Sequence, residues 1–250
     1  MTLGIESGRA VQIFWGMSEA VPLLEHLTPS SFSWLSNVEI QRVNEFRYPK
    51  RRLEWLRGRW VAKQLLLRSD PQFEGCQPSQ ITVVNAPQGA PQVWVAGESA
   101  EGSLSISHSR DKVAAAWSPF NLAAVGVDVE WIEPRHPAFL EDFFTETEKL
   151  TVLATPAEHQ ALQVTLLWSA KEAALKALGL GLRVDSRLVE IVSPYRAPIG
   201  DWQDLLFSSA FLKNQALVGR WKKCGSHICC LTALSPVVNI AAVEWVEVRL

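Results

Sequence analysis

The residues with the clearest chemical potential lie in the stretch Val125-Gly126-Val127-Asp128-Val129-Glu130. Its alternation predicts a strand, in which side chains two positions apart project from the same face. Asp128 and Glu130 therefore lie side by side, where like charges repel and burial penalises each carboxylate. A hard divalent cation with oxygen ligands, such as Mg²⁺, relieves both costs. The alternative is a strand whose valines enter the core while both carboxylates face water.

A second group lies in Trp168-Ser169-Ala170-Lys171-Glu172-Ala173-Ala174-Leu175-Lys176. If this segment is a helix, Trp168, Glu172 and Lys176 share one face at i, i+4 and i+8. Glu172 could then supply a third carboxylate or act as a general base, and Lys176 could bind a phosphate. A solvent-exposed Glu–Lys pair without a function explains the same spacing.

A third group, Ser107-His108-Ser109, ends a predicted strand in a small polar corner. Such a corner can donate hydrogen bonds to a pyrophosphate or position a base, although a turn with an exposed histidine fits equally. A serine hydrolase is disfavoured because the chain has no Gly-x-Ser-x-Gly elbow. Upstream, Lys50-Arg51 and Gly58-Arg59 belong to a basic segment that could bind a phosphate monoester or simply form a solvated helix face.

The elements that must position these residues can be predicted from hydropathy. Strands are predicted over 10–15, 81–85, 93–95, 104–107, 113–117, 123–130, 188–192, 207–213, 216–221 and 228–233. Helices are predicted over 27–68, with a break near Tyr48-Pro49, and over 139–153 and 158–178. This mixture indicates an α+β fold with two similar subdomains. Pro119, between two apolar runs, marks the predicted boundary between residues 1–119 and 120–250.

Composition and charge exclude several classes of protein. The net charge is −2, from 24 basic and 26 acidic side chains, so there is no overall basic field for nucleic acid. The longest uncharged apolar stretch, 228–243, falls short of a membrane span and contains Pro236, and no signal peptide pattern is present. Cys76, Cys224, Cys229 and Cys230 lack the spacing of a disulfide framework or a zinc site. We therefore expect a soluble, cytoplasmic protein without a nucleic-acid or membrane partner.

The order of the motifs is more specific than any one of them. Ser107-His108-Ser109, then Gly126 to Glu130, then Trp168 to Glu172 followed by Lys176 resembles the pattern of the 4′-phosphopantetheinyl transferases. The similarity covers roughly residues 40–190, and its size and two-part layout resemble the larger, monomeric Sfp/EntD-type class. Further matching segments are Gly89-Ala90-Pro91, Phe143 to Glu148, and Lys50-Arg51 with Gly58-Arg59.

The resemblance implies two pseudo-symmetric subdomains, each a small antiparallel sheet with packed helices, and an active site in the cleft between them. It implies transfer of 4′-phosphopantetheine from coenzyme A to a serine of an apo acyl carrier protein or peptidyl carrier domain, releasing adenosine 3′,5′-bisphosphate. Asp128, Glu130 and Glu172 would hold Mg²⁺, with Mn²⁺ as the alternative. The implied catalytic residues are Glu172, Lys176 and His108, with Glu172 as the candidate base for the carrier serine. The implied coenzyme-binding residues are Lys50, Arg51, Gly89, Pro91, Ser107, His108, Ser109, Asp128, Lys171 and Lys176.

One position departs from the pattern, and two other functions stay open. Many relatives carry Lys or Arg where this chain has Ala90, so a cation that would contact the coenzyme is missing there. The open alternatives are a non-catalytic relative that only binds carrier proteins, and a Mg²⁺-dependent nucleotide-processing enzyme with another acceptor. The sequence does not distinguish fatty acid, polyketide and peptide carriers.

Overall fold

The computed structural model describes residues 11–18, 32–192, 201–208, 212, 216–235 and 243–250. Its α-helices are α1 (Asn37–Asn44), α2 (Pro49–Ser69), α3 (Pro137–Phe143), α4 (Glu146–Ala154) and α5 (Ala157–Ala177). Its strands are β1 (Val11–Ser18), β2 (Ile81–Asn85), β3 (Pro91–Val95), β4 (Glu98–Ser99), β5 (Gly102–Ser109), β6 (Lys112–Pro119), β7 (Ala124–Trp131), β8 (Glu190–Ile191), β9 (Gln203–Leu205), β10 (Phe207–Ser208), β11 (Ala216–Cys224), β12 (His227–Ser235) and β13 (Val243–Glu247). Predicted element residues 10, 27–31, 209–211 and 213 lie outside the described part of the chain.

The first large sheet has the strand order β13-β1-β6-β5, and α2 covers one of its faces. Alternation along β6 sends Val113, Ala115 and Trp117 into the core beneath α2. The helix starts at Pro49, whose missing N–H is not needed in a first turn, and α1 ends at Asn44. The predicted helix break near Tyr48-Pro49 is therefore confirmed.

The second large sheet has the order β7-β12-β11-β9, and α5 covers one of its faces. Ile228 and Cys230 of β12 point into the core beneath α5, whereas Cys229 and Leu231 point to the opposite face. Smaller sheets, β2-β3-β4 and β8-β10, flank the two halves.

The uncovered faces of the two large sheets pack against each other. Ala114 and Ala116 of the first sheet meet Val125, Val127 and Val129 of the second in a third apolar core. The layers therefore run helix, sheet, sheet, helix. An α+β fold built from two similar halves is what the sequence predicted.

A buried ion pair repeats in both halves and shows how similar they are. Lys63 and Lys171 are each the fifteenth residue of a 21-residue helix, α2 or α5. Lys63 Nζ lies 2.5 Å from Glu39, and Lys171 Nζ lies 2.9 Å from Glu148, with all four side chains fully buried. Both glutamates also complete a capping box, with Ser36 at α1 and Thr145 at α4.

The structure corrects two expectations from the sequence. β13 lies parallel beside β1, so residues 243–247 complete the first sheet although they fall in the predicted second subdomain, and that sheet is mixed rather than antiparallel. The predicted helix over 139–153 is two helices, because Thr145 caps α4 directly after α3 ends. The boundary at 119/120 itself stays a prediction. Within the described residues, no helix is long and apolar enough to span a membrane.

Candidate active site

The site is organised by β7 and α5, which lie unusually close together. A Cβ atom added to Gly126 would collide with the carbonyl oxygen of Ala173, so the glycine permits this approach. Thr232 Oγ1 fixes the same carbonyl by donating to it at 2.8 Å. Because the valines of β7 enter the core between the sheets, Asp128 and Glu130 face α5, as their spacing predicts.

Asp128 is buried, and its two carboxylate oxygens are in different states. Oδ1 accepts hydrogen bonds from Ser107 Oγ at 2.8 Å and from Lys176 Nζ at 2.7 Å. The Lys176 ammonium also donates to Val127 O at 3.0 Å. Oδ2 is buried and has no hydrogen-bond partner in the structure. Lys176 is therefore anchored at the carboxylate.

Glu130 carries a strongly perturbed carboxyl group. Burial, and then the charge of Asp128, raise its pKa to about 7, although Arg135 and Trp168 oppose the shift. The Arg135 guanidinium lies 3.4 Å from Glu130 Oε2. The group can therefore gain or lose a proton near neutral pH.

Glu172 lies on the same face of α5 as Trp168 and Lys176, as the spacing predicts. These three side chains are half-buried, whereas their neighbours in the last turns of α5 enter the core. Burial raises the pKa of Glu172, Lys176 lowers it and Asp128 adds to the increase. Glu172 Oε1 is buried without a hydrogen-bond partner. Oε1 can therefore accept a proton or bind a cation.

The three carboxylates are not positioned as a complete set of metal ligands in this structure. Among the described residues, no group of three His, Cys, Asp or Glu side chains is close enough to hold an ion. The unpartnered oxygens of Asp128 and Glu172 nevertheless fit a cation that binds oxygen ligands, because a buried carboxylate oxygen without a partner is unfavourable.

A row of four serines joins the two halves beside this site. Ser103, Ser105, Ser107 and Ser109 of β5 accept hydrogen bonds from the backbone N–H groups of Val125, Val127, Val129 and Trp131, at 3.0–3.3 Å. We call this set the serine ladder. These bonds satisfy the backbone N–H groups on the edge of β7 that does not pair with β12. Along this edge, serine hydroxyl groups rather than strand carbonyls accept the hydrogen bonds.

A cleft of about 860 Å³ lies next to the serine ladder, and both halves line it. It brings together five of the residues expected at the coenzyme: Arg51, Gly89, Pro91, His108 and Lys176. Gly89 has a φ of +98°, which shapes the tight turn at the cleft wall.

Four expected coenzyme contacts do not line the cleft, and a fifth is corrected outright. Lys50 is 88% exposed beside Glu54, and the cleft is not lined by Ser107, Ser109 or Asp128. Lys171 is wrong as a coenzyme contact. Its ammonium is fully buried and donates to Ser186 O and Val189 O beside Glu148, because it points into the core rather than along the Glu172 face.

Two arginines at or near the cleft are absent from the expected coenzyme contacts. Arg59 donates to Val83 O at 2.9 Å and to Asn85 Oδ1 at 2.6 Å, and its guanidinium lies 4.7 Å from the Trp55 ring centre. Burial lowers the pKa of Arg59 to about 10. Arg183 Nη2 reaches from the second half to Pro87 O, in the turn that contains Ala90. The basic segment pointed to Arg59, but no local pattern indicates Arg183.

Comparison with known proteins agrees with the motif order. Residues 124–222 match the model of the 4′-phosphopantetheinyl transferase superfamily. This range contains β7 and α5, and with them Asp128, Glu130, Glu172 and Lys176. The predicted resemblance is thereby confirmed.

Curated relatives match parts of the chain. The 4′-phosphopantetheinyl transferase psf-1 of Bacillus pumilus is 41% identical over 79 residues, which cover 32% of this chain and 33% of that protein. The 4′-phosphopantetheinyl transferase HetI of Nostoc is 28% identical over 153 residues, covering 59% of this chain and 61% of that protein. The matched regions thus span between one third and about three fifths of these relatives.

Two solved structures also align with the chain. A holo-(acyl-carrier-protein) synthase from Bacillus anthracis, in complex with coenzyme A (3′,5′-ADP), has 18% identity and a TM-score of 0.38, covering 45% of this chain and 96% of that one. The holo-[acyl-carrier-protein] synthase of Thermotoga maritima has 17% identity and a TM-score of 0.35, covering 55% and 76%.

Proposed function

We propose that this chain, whose residues 124–222 match the 4′-phosphopantetheinyl transferase superfamily, transfers 4′-phosphopantetheine from coenzyme A to a serine of an apo carrier protein. The acceptor is an acyl carrier protein or a peptidyl carrier domain, and adenosine 3′,5′-bisphosphate is the product released. The observation that carries the proposal is that the matched segment brings three perturbed or unpartnered carboxylates and Lys176 together beside a cleft.

The cleft is proposed as the coenzyme site because its size and lining suit a nucleotide with several phosphates. Its volume lies within the range typical of small-molecule sites. Arg51 and Lys176 offer positive charge, and Trp55 offers an aromatic surface. Arg51 is proposed to bind the 3′-phosphate, which a guanidinium can contact with two parallel hydrogen bonds.

Asp128, Glu130 and Glu172 are proposed to hold Mg²⁺. The ion, when bound, neutralises charge on the pyrophosphate that is cleaved. Lys176 places a second positive charge beside the proposed metal site, because its ammonium contacts the Asp128 carboxylate.

Glu172 is proposed as the general base. Its Oε1 atom is buried without a hydrogen-bond partner, which supports a role as proton acceptor. It takes the proton of the carrier serine, whose oxygen then bonds to the phosphorus that bears pantetheine. The bond from this phosphorus to the bridging oxygen breaks, and that oxygen leaves with adenosine 3′,5′-bisphosphate.

The test is to incubate the chain with coenzyme A, Mg²⁺ and an apo carrier protein and to measure the mass of the carrier. We expect a gain of one phosphopantetheinyl group, which a chelator abolishes. Glu172→Gln should lower kcat by roughly 10²–10⁴-fold, as is typical when a general base is lost, with coenzyme A affinity largely retained. Glu158→Gln, at the exposed start of α5, is the matched control and should transfer at the rate of the unmodified chain.

Measuring carrier binding and coenzyme A consumption in the same mixture separates the alternatives. A non-catalytic carrier-binding relative forms a complex without a mass gain, and a nucleotide-processing enzyme consumes coenzyme A without modifying the carrier. We also propose a monomer, since both walls of the cleft come from one chain, and light scattering tests it. The four free cysteines support a reducing, cytoplasmic setting.

A further inference from the structure

The hydroxyl group of Ser107 has no proton left for a ligand. It accepts the Val129 N–H at 3.3 Å and lies 2.8 Å from Asp128 Oδ1, to which it donates. A serine hydroxyl carries a single proton, so the bond to Asp128 uses its only donor. Ser107 is also buried. A direct contact from this hydroxyl to a coenzyme phosphate therefore requires breaking the bond to Asp128.

Ser107 differs from its ladder neighbours in one contact. All four serines accept a backbone N–H of β7, and only Ser107 has a recorded bond to a site carboxylate. The bond from Val129 N fixes where the hydroxyl oxygen lies, immediately beside Asp128. The ladder therefore supplies a rigid support from the opposite half of the molecule.

The two donors at Asp128 Oδ1 fix the orientation of the whole carboxylate. Ser107 and Lys176 approach this oxygen from different elements, β5 and α5. Because both donors bond to Oδ1, Oδ2 is left buried without a hydrogen-bond partner. A carboxylate whose second oxygen is fixed in this way is typical of metal ligands that a neighbouring residue orients.

We propose that Ser107 is a positioning residue, which holds Asp128 so that Oδ2 remains available to a divalent cation. This inference rests on the proposed function, because that function places the cation at Asp128. It replaces the expectation that the Ser107 side chain contacts the coenzyme. It also makes the first half of the chain, through β5, part of the metal site.

The test compares Ser107→Ala with Ser105→Ala. Both variants lose one ladder hydrogen bond, and Ser105 has no recorded contact with Asp128. Mn²⁺ affinity is measured by calorimetry with coenzyme A saturating for each variant, because Ser105 lines the cleft, together with the free energy of unfolding. We expect Ser107→Ala to lose about 10–100-fold in Mn²⁺ affinity, Ser105→Ala to keep the affinity of the unmodified chain, and both to lose similar stability.

Equal Mn²⁺ affinities for the two variants, or no Mn²⁺ binding by the unmodified chain, would overturn the inference. If Ser107→Ala does not fold, Ser107→Thr keeps a hydroxyl group and should retain the Mn²⁺ affinity, whereas Ser107→Cys should lower it. Failure of the proposed function is a different result: the unmodified chain binds Mn²⁺ at Asp128, which Asp128→Asn abolishes, but leaves the carrier protein unchanged in mass.

Discussion

The three carboxyl groups of the site are chemically alike but have different surroundings. Asp128 is held by two donors at one oxygen, Glu130 has Arg135 and Trp168 beside it, and Glu172 has an oxygen with no partner. Neighbouring titratable groups in different environments take different roles, because each environment stabilises a different protonation state. The proposed division of roles, with Glu172 as the base, rests on these differences.

Glu130 should make stability depend on pH. Its pKa is about 7 in the fold and near 4.5 in the unfolded chain, so the folded state keeps a proton that the unfolded state loses in this window. Stability should therefore fall as pH rises from about 4.5 to 7. Glu130→Gln should not show this loss. Relative to the unmodified chain, its free energy of unfolding should be higher at pH 8 than at pH 4.5 by on the order of 2–3 kcal/mol.

Urea unfolding with a chelator present measures this effect. Glu98→Gln, on exposed β4, is the control and should differ little from the unmodified chain at either pH. A stability difference between Glu130→Gln and the unmodified chain that does not change with pH would contradict the raised pKa.

Arg51 and Lys50 are adjacent in sequence but differ in position. Arg51 lines the cleft, and Lys50 is outside it. Arg51→Ala should weaken the binding of coenzyme A by about 1.5–3 kcal/mol, as expected for a lost charge-assisted hydrogen bond. The binding of 3′-dephospho-coenzyme A should weaken much less. Lys50→Ala should change neither affinity. Calorimetry with both ligands checks this, and equal weakening of the two by Arg51→Ala would reject the 3′-phosphate assignment.

At the scale of elements, β7 and α5 could be predicted because their signals are local. The alternation of β7 and the spacing of Trp168, Glu172 and Lys176 follow from the geometry of a strand and of a helix. The structure adds the distance between them. That distance depends on Gly126, whose role becomes visible only when Ala173 is known to lie above it.

Gly126→Ala should therefore destabilise the fold. The added methyl group meets a backbone carbonyl, which cannot move without shifting α5, so we expect a loss of at least about 2 kcal/mol. Gly58→Ala, in α2, is the control, since its new methyl group meets one side-chain atom of Ile106 at 3.3 Å and no backbone carbonyl. Urea unfolding should show a near-neutral change there, and a near-neutral change for Gly126→Ala as well would mean that α5 does not press on β7.

The remaining differences have both local and long-range causes. Lys171 precedes Glu172 directly, but a rotation of about 100° along a helix separates a site residue from a core residue. The Thr145–Glu148 capping box is a local pattern that the helix predicted over 139–153 runs through. The cleft and the reach of Arg183 to Pro87 require both halves of the molecule at once.

At the scale of the molecule, the two halves use the same internal device. In each, a buried lysine of the long helix joins the capping glutamate of the short helix, and that glutamate accepts a strand N–H, from Val83 or Ile191. In the second half the residue after that lysine is Glu172, which lies on α5 facing β7, whereas in the first half the residue after Lys63 is Gln64. The stabilising framework is thus repeated, the proposed catalytic carboxylates belong to one copy, and both halves line the cleft.

Lys171→Met and Lys63→Met should therefore have similar effects. Each leaves a buried glutamate without its partner, which costs about 3–5 kcal/mol, and guanidinium unfolding measures it. The double variant Lys171→Met with Glu148→Leu should be less destabilised than Lys171→Met alone. A small effect at Lys171 and a large one at Lys63 would show that the two pairs are not equivalent.

β13 has a consequence for the order in which the chain can fold during synthesis. Its five residues pair in register with Val11 to Trp15, across more than 200 positions of intervening chain. While the ribosome is still translating the second half, the edge of β1 that will pair with β13 is unpaired. Val248 and Leu250 are also absent from the core beneath α2. The first half is thus made first but completed last, so on an arrested nascent chain the second half should reach its native packing before the first.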